Sequence, residues 1–166
     1  MRVLAFVASA LLAFLAACNR VPPPPPPVVL VVIDTLRADH LECYGYGRVT
    51  APALCALAND GVLFERAYAT RTETVPAISS ILTGLYPPLH GVRANYLVLP
   101  EGVVTVAEHL KPLGYATGGF VSSFVMIRDF SGFAQGFDLY DDRVRSPEGL
   151  RENYERAAPE TVDHAL

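Results

Sequence analysis

The sequence predicts an α/β fold with a largely parallel sheet flanked by helices. Three observations carry that prediction. Val28 to Ile33 is an unbroken run of β-branched or leucine side chains, and continuous apolar character marks a strand covered on both faces. Through residue 122, further short apolar segments alternate with stretches that carry helix start and stop signals, the pattern of a parallel α/β sheet. Hydrophobic residues make up 51% of the chain and charged residues 18%, enough apolar material for a core and too little charge for general disorder. The 166 residues suit one domain of roughly 100–150 residues plus a tail.

The tail comes first. Met1-Arg2 is a short positive start, and Val3 to Ala17 is almost wholly apolar. A run of that length suits a signal-peptide core and is short for a membrane span. It ends in Leu15-Ala16-Ala17-Cys18, which resembles the bacterial lipobox, where cleavage precedes a cysteine that then receives a diacylglycerol. Residues 1–17 are therefore read as a lipoprotein signal peptide, with lipidation at Cys18 as the membrane anchor. An ordinary secretory peptide and a retained transmembrane helix are the alternatives. Asn19 is not the usual inner-membrane retention residue, so the expected location is exported and membrane-anchored, in the periplasm or at the outer membrane or cell surface. Pro22 to Pro27 is all proline. It favours a polyproline II spacer, so residues 18–27 read as lipidated cysteine and stalk; a ligand for an aromatic-grooved domain is the alternative.

Residues 28–166 hold the domain. Val28–Ile33 is the first expected strand. Pro52 opens a helix through Leu54 and Leu57, with Thr50 as its cap and Gly61 at its end. Val62 to Tyr68 is a second expected strand. Pro76 to Leu82 reads as a helix that stops at Gly84. Thr105 caps another, and Glu108 three residues on completes a capping box. Tyr115 to Ser122 is a third expected strand. Beyond Phe124, aromatic residues among glycines indicate packed loop. Glu148 to Leu166 reads as a polar helix broken by Pro159.

Function classes narrow from here. The formal net charge is −4 with no basic stripe, which argues against nucleic acid as a partner. Gly45, Gly47, Gly118 and Gly119 form no phosphate-loop pattern, so nucleotide binding is excluded. Cys43 and Cys55 have no metal-ligand spacing. They read as buried free thiols, with a disulfide open as the alternative outside the cytoplasm.

Two residues stand out chemically. Asp34 ends the first apolar run, at the strand edge where open sheets place their sites. Its carboxylate suits a divalent cation, and a turn or cap role is the alternative. Asp39 and His40 follow closely, as supporting or surface groups. Thr74 lies two residues before Pro76, at a helix start where free backbone N–H groups favour a negative oxygen. A metal could both deprotonate its hydroxyl and polarise an ester oxygen. Plain helix capping is the alternative, and Thr72 and Ser79 offer rival hydroxyls. His90, Arg93 and Asn95 form a polar cluster after a proline-rich turn, suited to oxyanions or to the surface.

The chain resembles the sulfatase family of the alkaline-phosphatase-like superfamily. The resemblance runs through VIDTLRADHLECYGYG (Val32 to Gly47), TAPALCALANDGVLFERAYA (Thr50 to Ala69), LTGLYPPLHGVR (Leu82 to Arg93), LPEGVVTVAEHLKPLGYATGGFVSSF (Leu99 to Phe124) and GFAQGFDLYDD (Gly132 to Asp142). It implies the N-terminal portion of a sulfatase-like domain over 28–166, truncated before the later metal ligands. Asp34 takes the place of the first metal-ligating acid, and Thr74 the nucleophile position, ten residues before Gly84. The partner of Asp34 in the family's Asp-Asp pair is Thr35 here. Sulfatases convert a cysteine or serine at the nucleophile position to formylglycine, followed by x-Pro-Ser-Arg. This chain reads Thr74-Val75-Pro76-Ala77-Ile78, so no formylglycine is expected.

The resemblance thus implies a metal-dependent hydrolase of small sulfate or phosphate esters. The cation would be calcium where the family uses formylglycine, and zinc or manganese where it uses threonine. A hydrolase or transferase of phosphoryl groups that uses unmodified Thr74 is one alternative. A non-catalytic lipoprotein that binds an anion or a partner is the other. The isolated piece is expected to be inactive. A phosphoethanolamine-type transferase fits less well, since such enzymes carry several membrane spans.

Overall fold

Helices occupy six segments of a computed structural model that describes residues 24–144 and 158–165. They are α1 (Pro52–Asp60), α2 (Thr74–Thr83), α3 (Pro87–His90), α4 (Val106–Leu110), α5 (Arg128–Ser131) and α6 (Ala158–Ala165). Short 3₁₀ turns lie at Ala38–His40, Glu42–Tyr44, Lys111–Leu113 and Phe124–Met126. Two strands, β1 (Gly118–Phe120) and β2 (Leu139–Asp141), pair in parallel, Gly118 with Leu139, Gly119 with Tyr140 and Phe120 with Asp141. Parallel neighbours need a crossover, and residues 121–138 provide it with α5. The fold is α/β, with several helices and a small parallel sheet.

The core lies between α2 and this sheet. Val75, Leu82, Val92, Leu99, Phe133 and Tyr140 are buried together, with Ile78, Val103, Val121, Val125, Met126, Ala134 and Phe137 packed around them. The expected capping box forms: Glu108 N–H donates to Thr105 Oγ1 at 3.3 Å, and Thr105 N–H to the Glu108 carboxylate at 2.8 Å. Gly136 presses on this box at φ +82°, where an added Cβ would lie 2.7 Å from the Glu108 backbone nitrogen. Only a residue without a side chain fits both the conformation and the space.

Several expectations are corrected. Val28–Ile33 and Val62–Tyr68 form no strand, and Val28 to Ile33 are between 45% and 82% exposed. An apolar run announces strand character but does not supply the neighbour whose ladder makes it a strand. Tyr115–Ser122 shortens to Gly118–Phe120. The aromatic segment beyond Phe124 is more than loop: it contributes α5, β2 and the core side chains Phe133 and Tyr140. Ala158–Ala165 is helical and includes Pro159, and the rest of the expected Glu148–Leu166 helix lies outside the described residues. Thr50 does not cap α1. Its hydroxyl donates to the His40 carbonyl at 2.6 Å. Residues 1–23, including the leader, Cys18 and the first prolines of the spacer, lie outside the described residues. Among the described residues no helix is long and apolar enough to cross a membrane.

The loop that follows Asp34 is fastened to α1. Cys43 and Cys55 are joined as a disulfide, not free thiols; the spacing was silent because it reports sequence separation, not proximity. The Glu42 carboxylate accepts from Thr50 N–H and Ala51 N–H, both at 3.0 Å, ahead of α1. These backbone donors hold its pKa down, from 4.5 to about 2. A depressed carboxylate contributes stability that is complete above its unfolded value and fades as pH falls toward the folded one. The advantage of wild type over Glu42→Gln in urea is therefore expected to shrink between about pH 5 and about pH 2. An advantage independent of pH would refute the role.

Candidate functional site

Helix α2 begins because Glu73 is extended (φ −106°, ψ 145°) and Pro76 has no N–H to lose in the first turn. It ends at Gly84, whose left-handed backbone (φ 69°) returns an N–H to the Ser80 carbonyl at 2.9 Å. Its apolar residues Val75, Ile78 and Leu82 face the core. This seating leaves half-buried Thr74 at the first helical position.

Thr74 Oγ1 donates to Asp34 Oδ2 at 3.0 Å, across 40 residues of chain. The other carboxylate oxygen, Oδ1, accepts the Thr35 N–H at 3.0 Å. Thr35 has φ 55°, uncommon for a threonine. That turn aims one Asp34 oxygen at its own backbone and the other at Thr74. The two residues singled out from sequence thus meet directly. Ile78, where sulfatases carry arginine, packs against the core.

The other predicted residues take different positions. Asn95 Oδ1 accepts the Val75 N–H at 2.9 Å, so a side chain from a distant loop satisfies a donor at the start of α2. His90 is 1% exposed and fully engaged. Its Nδ1 accepts from Val92 N–H at 3.1 Å, which leaves the proton on Nε2 to donate to Ser80 Oγ at 3.0 Å. Ser80 Oγ also accepts from Thr70 Oγ1 at 2.9 Å and donates to the Pro76 carbonyl at 3.2 Å. His90 therefore ties α3 to α2 from inside. Ser79 is buried and donates to the Val75 carbonyl at 2.8 Å, which removes it as a rival hydroxyl. Asp39 is held by Arg37 in an exposed pair, and His40 stacks on Tyr46 with ring centroids 5.0 Å apart.

Burial pushes the His90 pKa below its ordinary 6.5. A depressed histidine adds stability that is complete above the unfolded value and is lost as pH falls through the folded one. Wild type is thus expected to lose urea resistance more steeply than His90→Asn on acidification below about pH 6.5. Parallel curves for the two proteins would show that His90 does not report on folding.

Arg93 is exposed, and its carbonyl accepts from Arg71 Nη2 at 2.9 Å. Both residues line an open groove of about 400 Å³ with Thr70, Tyr86, Pro87 and Pro88. Sequence reasoning missed Thr70, Arg71 and Tyr86. The one available hint was that Arg71 lies three residues before Thr74. Among the described residues, no three His, Cys, Asp or Glu side chains converge as a metal cluster.

Comparison with known proteins gives a consistent picture. The sulfatase family pattern matches residues 26–163. The chain is 33% identical over 135 residues to an N-acetylgalactosamine-6-O-sulfatase of Bacteroides thetaiotaomicron, covering 78% of this chain and 26% of that protein. It is 40% identical over 73 residues to an ulvan-active sulfatase of Formosa agariphila, covering 44% and 15%. It is 38% identical over 91 residues to human arylsulfatase A, covering 51% and 18%. The chain spans about a quarter or less of the length of these relatives.

Proposed function

The chain belongs to the sulfatase family, and on that premise we propose that it is the N-terminal part of an exported, lipid-anchored hydrolase of sulfate or phosphate esters. Residues 1–17 would be its signal peptide, Cys18 its lipidation site and the prolines its stalk. The observation that supports the chemistry best is the 3.0 Å hydrogen bond between Thr74 Oγ1 and Asp34 Oδ2. A hydroxyl held by a carboxylate at the start of a ten-residue helix is placed where negative charge on oxygen is favoured.

The donor set fits a hard divalent cation in kind, since carboxylate and hydroxyl oxygens are what calcium, manganese and zinc accept. In number it is partial, because calcium takes about six to eight oxygens. Asp34 and Thr74 would hold the ion, and the remaining ligands would come from outside these two residues. When bound, it would supply the positive charge that lowers the hydroxyl pKa and polarises the ester oxygen.

The chain's own residues do the rest. Asp34 accepts the Thr74 proton in a hydrogen bond and so turns a lone pair of Oγ outward. Asn95 holds the first turn of α2 through Val75, which fixes the direction of that lone pair. As Thr74 Oγ bonds to phosphorus or sulfur its proton passes by way of Asp34 to solvent, the bond to the alcohol oxygen breaks in line, and the alcohol leaves with a proton from solvent. Water then cleaves the ester on Thr74. Because Ile78 offers no charge and packs against the core, and Thr74 cannot become an aldehyde, an unmodified threonine acting on phosphoryl groups is the favoured variant. The same Ile78 also favours the second reading, a non-catalytic protein that only binds an anion or a partner.

The test is an assay of the complete gene product and of the 166-residue chain with aryl sulfate and aryl phosphate, each with calcium, zinc or manganese. The complete protein is expected to hydrolyse at least one ester, and the 166-residue chain neither. Turnover by the short chain that Thr74→Ala abolishes would overturn the claim that further ligands are needed. Inactivity of the complete protein with all three ions would favour the binding reading.

A further inference from the structure

We propose that the groove lined by Thr70, Arg71, Tyr86, Pro87, Pro88 and Arg93 is a subsite for a second anionic group on the alcohol part of the substrate. The inference rests on the reading of Thr74 as the reacting hydroxyl. The favoured substrate is then an ester whose alcohol carries another sulfate, phosphate or carboxylate.

Charge is the first argument. The ion pairs among the described residues join Arg37 to Asp39, Lys111 to Asp138, Arg128 to Asp142 and Arg143 to Asp141. None of them engages Arg71 or Arg93. Two arginines that take part in none of these ion pairs therefore line one groove. A guanidinium presents a planar fork of donors that matches a tetrahedral or planar oxyanion.

Position is the second. Arg71 lies three residues before Thr74. Arg93 lies two residues before Asn95, whose side chain holds Val75 at the start of α2. Both arginines therefore belong to the two chain segments that flank the start of α2, and Arg71 is fastened to Arg93 through the latter's carbonyl. The groove is also supported from behind. Thr70 donates to Ser80, which is held by buried His90. The apolar wall is Pro87, Pro88 and Tyr86, a residue that is 68% exposed. That face suits the flat side of an aryl or sugar ring, with its second anion at the arginines.

The experiment uses the complete protein. It compares kcat/KM for phenyl phosphate, para-carboxyphenyl phosphate and para-phenylene bisphosphate, and for the matching sulfates. Esters with a second anion are expected to be preferred. Arg71→Ala and Arg93→Ala are each expected to reduce that preference about tenfold, as for loss of a charged hydrogen bond. Arg93→Lys retains the charge and is expected to keep part of the preference, which guards against simple misfolding. The carboxylate and bisphosphate arms show which oxyanion the groove takes. Calorimetric binding of para-phenylene bisphosphate to the Thr74→Ala protein supplies a readout independent of turnover. Binding that disappears with both arginines supports the groove even where no ester is hydrolysed, in which case the reacting-hydroxyl reading alone fails. A preference untouched by the arginine substitutions overturns the groove, as does absence of both preference and arginine-dependent binding.

Discussion

Thr74→Ala in the complete protein is expected to lower kcat/KM by about a thousandfold or more, because the proposed mechanism has no other atom to form the covalent ester. The substitution is a clean one. The residue that precedes α2 is Glu73, and the Val75 N–H is satisfied by Asn95, so the helix start does not depend on the Thr74 side chain. Alanine at the first helical position costs little in propensity. Loss of activity with an unchanged unfolding midpoint would thus report on chemistry. Thr74→Ser keeps the oxygen and is expected to retain most turnover. Asp34→Asn keeps an acceptor 3.0 Å from Oγ1 but removes the charge that would hold a cation. It is expected to cost about a hundredfold or more, and to lower metal content with it. With a phosphate ester, acid quenching during turnover should trap a phosphoryl group on the peptide that contains Thr74. Wild-type turnover that survives Thr74→Ala would remove the nucleophile assignment and leave a binding protein on a sulfatase fold.

The parts of this chain that sequence made legible are those governed by local rules. The Thr105–Glu108 box forms because both partners lie within one turn. Helix α2 stops at Gly84 because only that residue takes the left-handed turn easily. The pairing of Asp34 with Thr74 is not local, yet the family resemblance marked both. What stayed hidden depends on three-dimensional neighbours. Val28–Ile33 has strand character but no ladder partner. The link between Cys43 and Cys55 depends on how the Glu42–Tyr44 turn meets α1. His90, suited from sequence to oxyanions or to the surface, is buried against Ser80, because a histidine next to glycine looks the same from sequence whether its ring nitrogens face water or a neighbouring hydroxyl. Arg71 and Tyr86 join one groove only because α3 folds back beside α2.

Phe133→Ala is expected to be the most damaging single substitution for folding, at about 3–5 kcal/mol. Phe133 is 2% exposed and is the largest fully buried side chain in a core of few members. It is placed by backbone that cannot easily relax. Gly132 before it has φ 71°, and an added Cβ there would sit 2.8 Å from the Leu99 carbonyl oxygen. The Phe133 N–H is held by Ser131 Oγ at 3.2 Å, and Ser131 is itself anchored to the Ile127 carbonyl at 2.9 Å. A cavity at this point would therefore stay largely unfilled, and unfilled volume is what makes the loss exceed simple transfer. Total stabilities of about 5–15 kcal/mol leave little margin for such a loss. The control is Ile81→Ala on α2, since Ile81 is 47% exposed and its truncation is expected to cost about 1 kcal/mol or less. Urea unfolding of the two variants separates the cases. Hydrogen exchange at the α2 amides adds a local readout, because Phe133 shares its core with Val75 and Leu82 on that helix. Faster exchange from Ser79 to Thr83 in Phe133→Ala, and not in Ile81→Ala, would show that the aromatic ring holds the helix that presents Thr74. Equal losses in the two variants would mean that the energetic centre of the domain lies elsewhere.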